Sequence, residues 1–189
     1  TLDRSSAASD VYKRQILLGL AWVRGPVFLD NANLWTDTVA KNPRSPLALT
    51  SLGNELGAAG SHKLAERRHR EAIAVDSEFP DAWVNLSVEL QVQAKHDEAF
   101  DAARQAVRLA PWLPKARVNL ALGLTDRERY DEAVEQLEAA VATDSRFAAA
   151  WAHLARVELL RNNQSGFETA VEQLRRLDPR LAQDFEPSP

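Results

Sequence analysis

A repeat of 34 residues places the strongest constraint on how this chain folds. Four blocks align without a gap, and they cover residues 46–79, 80–113, 114–147 and 148–181. Every block has Ala at position 3, Leu at position 7 and a small residue at position 8. A fixed period of this length is typical of arrays in which one supersecondary unit stacks on the next. The chain is therefore predicted to form an array of four such units.

The pattern within each block predicts two helices. Positions 4, 7, 8 and 11 share one face of a first helix, and positions 20, 24, 27 and 28 share one face of a second helix. Small residues at positions 8 and 20 allow the two helices to approach closely. Prolines at the block boundaries, including Pro46, Pro80 and Pro114, predict that helices end or begin there. The sequence therefore predicts an all-α chain of antiparallel helical hairpins.

These features together resemble the tetratricopeptide repeat, and residues 80–111 match that family's pattern best. The resemblance implies a right-handed superhelical solenoid of four repeats, preceded by a partial repeat that ends at residue 45. Three residues depart from the pattern and predict altered packing in the third and fourth blocks. They are Arg117 at position 4, Glu158 at position 11 and Phe167 at position 20.

In this family the first helices line a concave groove, through positions 2, 5, 6, 9, 12 and 13 of each repeat. The resemblance therefore implies a scaffold for protein–protein interactions, which binds a peptide or a partner helix in that groove. The candidate contact residues are Asn54, Asn85, Val88, Lys115, Asn119, Leu122 and His153. The apolar residues of the groove favour an extended segment or a helix with hydrophobic side chains.

Two asparagines at position 6, Asn85 and Asn119, have two interpretations that the sequence leaves open. A carboxamide both donates and accepts hydrogen bonds, so these side chains would pair with the backbone of a bound peptide. Alternatively, they hold neighbouring repeats together. The carboxylate clamp of some family members is not expected, because Thr50 and Asn119 replace two of its three cations. Lys115 alone would bind a carboxylate poorly.

Composition and motifs argue against several other functions. A net charge of −4 gives no basic footprint for nucleic acid, and the chain has no cysteine for disulfides or thiolate metal sites. No phosphate-binding loop, nucleophile elbow or metalloprotease motif occurs. His62 and His96 occupy position 17, where the family carries a packing aromatic, and His69 is expected to be semi-buried. We therefore expect no enzyme activity, no cofactor and no metal.

The residues before the repeats carry two further resemblances. Residues 5–15, SSAASDVYKRQ, resemble the translation of a transposase-type sequencing adapter, so residues 1–15 are expected to be non-native. Residues 16–23 are apolar. Together with residues 34–56 they resemble the junction at which a bacterial multi-span glycosyltransferase-like domain meets C-terminal tetratricopeptide repeats. That resemblance implies the end of a transmembrane helix, whereas the alternative is a hydrophobic helix that caps the solenoid.

Three functional settings follow from these resemblances. The leading hypothesis is the C-terminal region of a larger membrane protein, with the repeats outside the cytoplasm; a cytoplasmic location is the other option. The second is a free-standing adaptor in envelope assembly. The third is the acceptor-presenting part of a membrane glycosyltransferase. Residues 182–189 are expected to form a frayed tail, and the sequence does not predict the oligomeric state.

Overall fold

The computed structural model describes residues 31–185 of the chain. The adapter-like residues 1–15, the apolar residues 16–23 and the last part of the tail, 186–189, lie outside the described residues, so their predictions stay predictions. Ten α-helices and a final 3₁₀ turn make up residues 31–185, and this part contains no strand. The helices are α1 Asn31–Lys41, α2 Pro46–Ala58, α3 His62–Val75, α4 Pro80–Val92, α5 His96–Leu109, α6 Pro114–Thr125, α7 Tyr130–Thr143, α8 Ala148–Leu160, α9 Gln164–Leu177 and α10 Pro179–Ala182, and the 3₁₀ turn is Gln183–Phe185.

Consecutive helices pair into hairpins, α2 with α3, α4 with α5, α6 with α7 and α8 with α9. Each hairpin packs against the next one, and each first helix also contacts the first helix of the following hairpin. Helix α1 packs against α2, as the second helix of a preceding repeat would. The all-α solenoid of helical hairpins that the sequence predicts is confirmed. Within the described part of the chain, no helix is long and apolar enough to cross a membrane.

Local sequence explains where the first helices begin. Helices α2, α4 and α6 start with a proline, where the fixed φ suits a helix and the missing N–H costs no hydrogen bond. These starts, and that of α8 at Ala148, follow one another at intervals of 34 residues. The Ser45 side chain also accepts a hydrogen bond from the Ala48 amide at 3.2 Å, which caps α2.

Small residues hold the helices of each hairpin close together. The alanines at positions 3, 20 and 27 of the blocks are all buried, so neighbouring backbones approach without a large side chain between them. Leu90, Leu137 and Leu174 fill the remaining space and are less than 2% exposed. Burial of one such side chain is worth about 1.5–3 kcal/mol. The repeated pattern therefore accounts for the core.

His69 is an exception in this core, because its polar ring is buried without a hydrogen-bond partner. It lies in α3, is 0% exposed, and neither ring nitrogen has a partner. The ring packs against Gly53 of α2, where a Cβ would lie 2.4 Å from Cε1 of His69. Burial lowers the pKa of His69 to about 4, because desolvation disfavours the imidazolium. His69 is thus buried more deeply than the sequence predicted.

Each of the last three repeats is tied to the preceding boundary by a side chain at position 4. This side chain donates one hydrogen bond to the backbone carbonyl at position 32 of the previous repeat. The pairs are Trp83 Nε1 with Ser77 O at 2.9 Å, Arg117 Nε with Pro111 O at 2.6 Å, and Trp151 Nε1 with Ser145 O at 2.9 Å. The departure at Arg117 therefore keeps the bond that the indole makes elsewhere.

The departure at Glu158 places a carboxylate where the other repeats carry leucine. Glu158 is buried. Its Oε2 accepts a hydrogen bond from Asn163 Nδ2 at 3.0 Å and pairs with Arg161 Nη1 at 3.2 Å. The carboxylate fits beside Gly166, where a Cβ would lie 2.7 Å from Cδ of Glu158. These contacts give the buried carboxylate a hydrogen-bond donor and a cationic partner.

The C-terminal end differs from the frayed tail predicted for residues 182–189. The Asp178 side chain caps α10 by accepting two backbone hydrogen bonds at 3.1 Å. Ala182 is buried, and the ring of Phe185 packs against Phe167 with the centroids 6.3 Å apart. Because Phe167 replaces the small residue of the other repeats, it supplies the apolar surface that holds the first part of the tail in place.

Candidate functional site

An apolar cleft opens between the first helices of the second and third hairpins, and we call it the α4–α6 cleft. It encloses about 110 Å³. Its lining includes Val88 and Val92 of α4, Phe100 of α5, and Asn119, Leu122 and Gly123 of α6. Val88 and Leu122 both stand at position 9, which is one of the positions where the resemblance predicts a groove.

The floor of the cleft depends on a glycine beside a phenylalanine. A Cβ at Gly123 would lie only 2.7 Å from Cδ2 of Phe100, which is closer than two carbon atoms can pack. The missing side chain at this position of α6 therefore leaves room for the phenyl ring to reach the cleft from α5. The ring gives the cleft an apolar floor.

Arg127 fixes the orientation of this floor. Its guanidinium carbon lies 4.1 Å from the centroid of the Phe100 ring, within the range of a cation–π interaction. Nη1 of Arg127 donates a hydrogen bond to the Gly123 carbonyl at 3.0 Å, and Nη2 pairs with Asp97 of the preceding repeat. The guanidinium is therefore held on three sides and packs against one face of the ring.

The rim of the cleft is apolar and partly open to solvent. Val88 is 43% exposed and Val92 is 57% exposed, and Leu122 is half-buried across from them. The structure thus brings together three of the predicted contact residues, Val88, Asn119 and Leu122. Sequence reasoning missed Phe100 and Gly123, because the repeat pattern assigns no ligand contact to their positions.

Asn119 is bonded to the neighbouring repeat. Its Nδ2 donates to Ser87 Oγ at 2.8 Å and to the Val84 carbonyl at 3.2 Å. Ser87 Oγ donates in turn to the same carbonyl at 2.6 Å. Both donor hydrogens of the Asn119 amide are therefore used between α6 and α4, and only its oxygen remains for a ligand. At this position the geometry favours the second interpretation, in which the asparagine holds repeats together.

Asn85 differs from Asn119 although it occupies the same position of its repeat. It is half-buried on α4, and its side chain has no hydrogen bond to any residue between 31 and 185. The preceding repeat lacks one of the two acceptors that Asn119 uses, because Gly53 stands at the position of Ser87. Glycine offers no hydroxyl acceptor. The Asn85 amide is therefore open to a ligand.

The other predicted contact residues lie outside the cleft. Asn54 is exposed on α2, and Lys115 is exposed near the start of α6. His153 is half-buried on α8, and its pKa is lowered by burial and by the nearby charge of Arg156. The predicted site is therefore spread along the groove, with the cleft as its apolar part.

One buried carboxylate was not expected from the sequence. Glu89 of α4 is 7% exposed, and its Oε2 lies 2.9 Å from Nδ1 of His62 on α3. Its other oxygen fits against Gly57, where a Cβ would collide with it. This pair joins the first and second hairpins. Among residues 31–185 no cluster of three or more His, Asp or Glu side chains could hold a metal ion.

Comparisons with known proteins establish the fold of the chain but not its family. No protein-family model matches the chain. No curated protein matches it. Solved structures do match, and all the examples below share less than a quarter of their residues with this chain, so they establish the fold alone.

Three solved structures illustrate the likeness. MamA 41-end from Desulfovibrio magneticus RS-1 has 16% identity and a TM-score of 0.63, and the match covers 98% of each chain. PilF of Pseudomonas aeruginosa has 20% identity and a TM-score of 0.67, with 80% of this chain and 70% of that chain covered. The APC/C hetero-tetramer Cut9–Hcn1 has 17% identity and a TM-score of 0.69, with 88% and 30% covered. The chain therefore has the fold of tetratricopeptide-repeat proteins.

Proposed function

We propose that this protein is a protein–protein interaction scaffold that binds a peptide or a partner helix in the groove of its first helices. The observation that carries the proposal is the α4–α6 cleft, with Val88 and Val92 exposed above an apolar floor. Exposed apolar side chains beside a preformed cleft are typical of a surface that another chain covers. The shared fold of chains that form assemblies, such as the Cut9–Hcn1 hetero-tetramer, supports it.

Two asparagines of the predicted groove suit the backbone of a bound segment. The open amide of Asn85 can both donate to and accept from a peptide group, whereas Asn119 offers only its oxygen. An extended segment would therefore satisfy its backbone at Asn85 and place apolar side chains against Val88 and Leu122. A partner helix would use the apolar contacts alone.

We also propose that the repeat units span residues 46–79, 80–113, 114–147 and 148–181.

For the cellular setting, we propose a membrane-bound parent protein with the repeats outside the cytoplasm. The apolar residues 16–23 motivate the membrane setting. Sequencing the gene upstream of this region tests it. Several predicted membrane spans would support the setting, and a signal peptide directly before residue 16 would contradict it.

A selection experiment with a matched pair of variants tests the scaffold function. Peptides that bind the full chain are selected from a random display library, and their affinities are measured by calorimetry. Val88→Ser removes apolar contact from the cleft, and Val75→Ser is the control, because Val75 is similarly exposed at 37% but lies at the end of α3.

We expect Val88→Ser to weaken the selected peptides by roughly tenfold, since about 1–2 kcal/mol of apolar contact is lost. Val75→Ser should leave their affinity unchanged. If no peptide is selected, or if both variants bind as well as the unaltered chain, the groove is not the binding surface.

A further inference from the structure

We infer that the first hairpin, α2 with α3, is an acid-labile unit: protonation of the buried His69 ring opens this hairpin while the rest of the solenoid stays folded. This device is independent of the proposed scaffold function, because it concerns the folding of one repeat and not its partner. Histidine is the side chain whose charge changes in mild acid, and its place in this hairpin decides the effect.

His69 stands at a position where the other repeats carry an apolar side chain. Position 24 is His69 in the first repeat, and it is Ala103, Leu137 and Val171 in the others. All four side chains are buried. The first hairpin is therefore the only one of the four repeats that places an ionisable side chain at this point of its core.

The ring of His69 is packed too closely for a charge on it to be solvated. A Cβ at Gly53 of α2 would lie 2.8 Å from both ring nitrogens, so the nitrogens lie against the α2 backbone. The Thr50 hydroxyl, one turn earlier on α2, is likewise buried without a hydrogen-bond partner. A hydroxyl does not neutralise an imidazolium, and a buried charge without a counter-charge is costly. Protonation therefore requires that α2 and α3 separate.

On α3 itself, the carboxylates near His69 are already paired. The pairs are Glu66 with Arg70 and Lys95, Glu98 of α5 with Arg70, and Glu71 with Arg67 and Arg68. Helix α3 carries four Lys and Arg residues against two Glu residues. It therefore has no carboxylate to spare for an imidazolium.

The two helices packed against α3 do not supply a counter-charge either. The carboxylate of α2 is Glu55 at position 10, and in the next repeat this position directs Glu89 to the preceding hairpin. Glu55 therefore faces α1 and not α3. On α4, Glu89 lies 2.9 Å from His62, which would bind it more firmly when protonated, and Asp81 is exposed. Desolvation alone accordingly lowers the pKa of His69 to about 4.

The first hairpin is held less firmly than the later ones. On one side it meets α1, none of whose residues is buried. On the other side it shares with α4 the small cluster of Leu49, Ala72 and Ala82, whereas the third and fourth hairpins share one continuous core from Val118 to Val171. In a linear array each unit contacts only its neighbours, so a weakly held unit can open alone.

Polar contacts at the α3–α4 junction oppose the opening and set its pH range. Burial raises the pKa of Glu66, but hydrogen bonds from Lys95, Arg70 and Gln93 outweigh it and leave the pKa lowered. The stability that such a carboxylate adds is lost only as the pH falls below its ordinary pKa of 4.5. Between pH 6.5 and about 4.5, His69 therefore drives the opening against contacts that stay intact.

Hydrogen exchange on the full chain tests the opening. Amide protection factors are measured by NMR at pH 7.5 and 5.0 and corrected for the intrinsic exchange rate at each pH. We expect the opening equilibrium of α2 and α3 to rise by roughly ten- to thirtyfold, because an open His69 binds a proton near pH 6.5 and a closed one only near 4.

The third hairpin, α6 with α7, is the internal reference. It contains no histidine, so its opening equilibrium should change far less than that of the first hairpin. The fourth hairpin is unsuitable as a reference, because burial and the charge of Arg156 also lower the pKa of His153.

Two substitutions at His69 localise the effect. His69→Leu should reduce the change in α2 and α3 to that of the third hairpin, since leucine fills the same position at Leu137. His69→Ala repeats the test with the residue found at Ala103, and it keeps the answer available if leucine does not fit against Gly53. His62→Gln is the matched control, because His62 lies in the same helix but is only half-buried. It should retain a rise of roughly tenfold or more.

A rise that is confined to the first hairpin and disappears in both His69 variants would support the device. An equal rise in all helices would show that acid loosens the array as a whole. An unchanged opening of α2 and α3, or a rise that persists in His69→Leu, would show that His69 is not the trigger. Each of these three results overturns the inference, and none of them bears on the peptide selection that tests the scaffold.

Discussion

Arg117 donates its Nε hydrogen to the carbonyl oxygen of Pro111 over a distance of 2.6 Å. In the repeats on either side the same bond is made by an indole, from Trp83 and from Trp151. Arg117 also donates through Nη1 to Gln136 at 2.9 Å. A cationic side chain has therefore taken over a boundary contact that the repeat pattern assigns to an aromatic one.

Removal of this contact should weaken the junction between the second and third repeats. We predict that Arg117→Ala lowers the free energy of unfolding by about 1 kcal/mol, because the hydrogen bonds to the Pro111 carbonyl and to Gln136 of the neighbouring helix are lost. Urea denaturation followed by circular dichroism measures it. Arg146→Ala is the control, since Arg146 is exposed and its side chain makes no hydrogen bond or ion pair within the described residues. An equal loss in both variants would contradict the prediction.

Two leucines at the same position of their repeats should differ in their contribution to stability. Leu86 is 2% exposed, whereas Leu120 is only partly buried. We predict that Leu86→Ala costs about 3–4 kcal/mol and that Leu120→Ala costs about half of that, since less apolar surface is lost. Paired denaturation curves measure both costs. Equal costs would show that the partial exposure of Leu120 does not reduce its contribution.

The two asparagines at position 6 should differ in effect, since we expect Asn119 to contribute to stability and Asn85 to contribute to binding. Asn119→Ala removes two inter-repeat hydrogen bonds, so we predict a loss of about 1–2 kcal/mol in the free energy of unfolding. Asn85→Ala should change stability by less than about 0.5 kcal/mol and should weaken selected peptides. Denaturation and calorimetry on both single variants measure these effects. A peptide affinity that is unchanged in Asn85→Ala would remove this residue from the site.

His69 should make the protein sensitive to mild acid. The unfolded chain takes up the proton near the ordinary histidine pKa of 6.5, whereas the folded state resists until about pH 4. Stability is therefore complete above about pH 6.5 and falls as the pH drops from there towards 4. We predict a loss on the order of 1 kcal/mol between pH 7.5 and 5.5 from this residue, measured by urea denaturation at both values.

A substitution at His69 isolates this effect. We predict that His69→Leu reduces the pH dependence between 7.5 and 5.5, because leucine does not titrate and fills the equivalent position at Leu137, where it is fully buried. His153, whose pKa burial also lowers, contributes the remainder. The variant should also be more stable at pH 7.5, since it replaces an unpaired polar ring by an apolar side chain. His96→Asn is the control, because His96 is exposed. An unaltered pH dependence in His69→Leu would contradict this account.

The repeat period predicts most of the fold, whereas most of the cleft depends on individual residues that depart from the repeat pattern. Period and register predict the hairpins, because small residues at fixed positions must face one another wherever helices pack closely. They also place Val88 and Leu122 on the groove side. They do not predict the Phe100 floor, because it depends on the coincidence of a glycine and an aromatic residue from different repeats.

Contacts between residues of different repeats explain two further features that the sequence did not predict. The burial of Glu89 depends on His62 and Gly57 of the preceding repeat, and one position in a pattern does not reveal such a match. The folded part of the tail depends on Phe167, which in the repeat pattern is only a departure at position 20 of one repeat. In both cases the residue's partner lies outside its own repeat.

The series of ion pairs between successive hairpins has a mechanical consequence. Arg127 reaches back to Asp97, and Arg161 reaches back to Asp131 at 2.8 Å, one pair at each of two successive junctions. Because packing joins each hairpin to the next, a tension applied along the array is carried through its junctions in series. We expect the molecule to extend under force through all of its junctions together. In mild acid, the hairpin that contains His69 should unfold first.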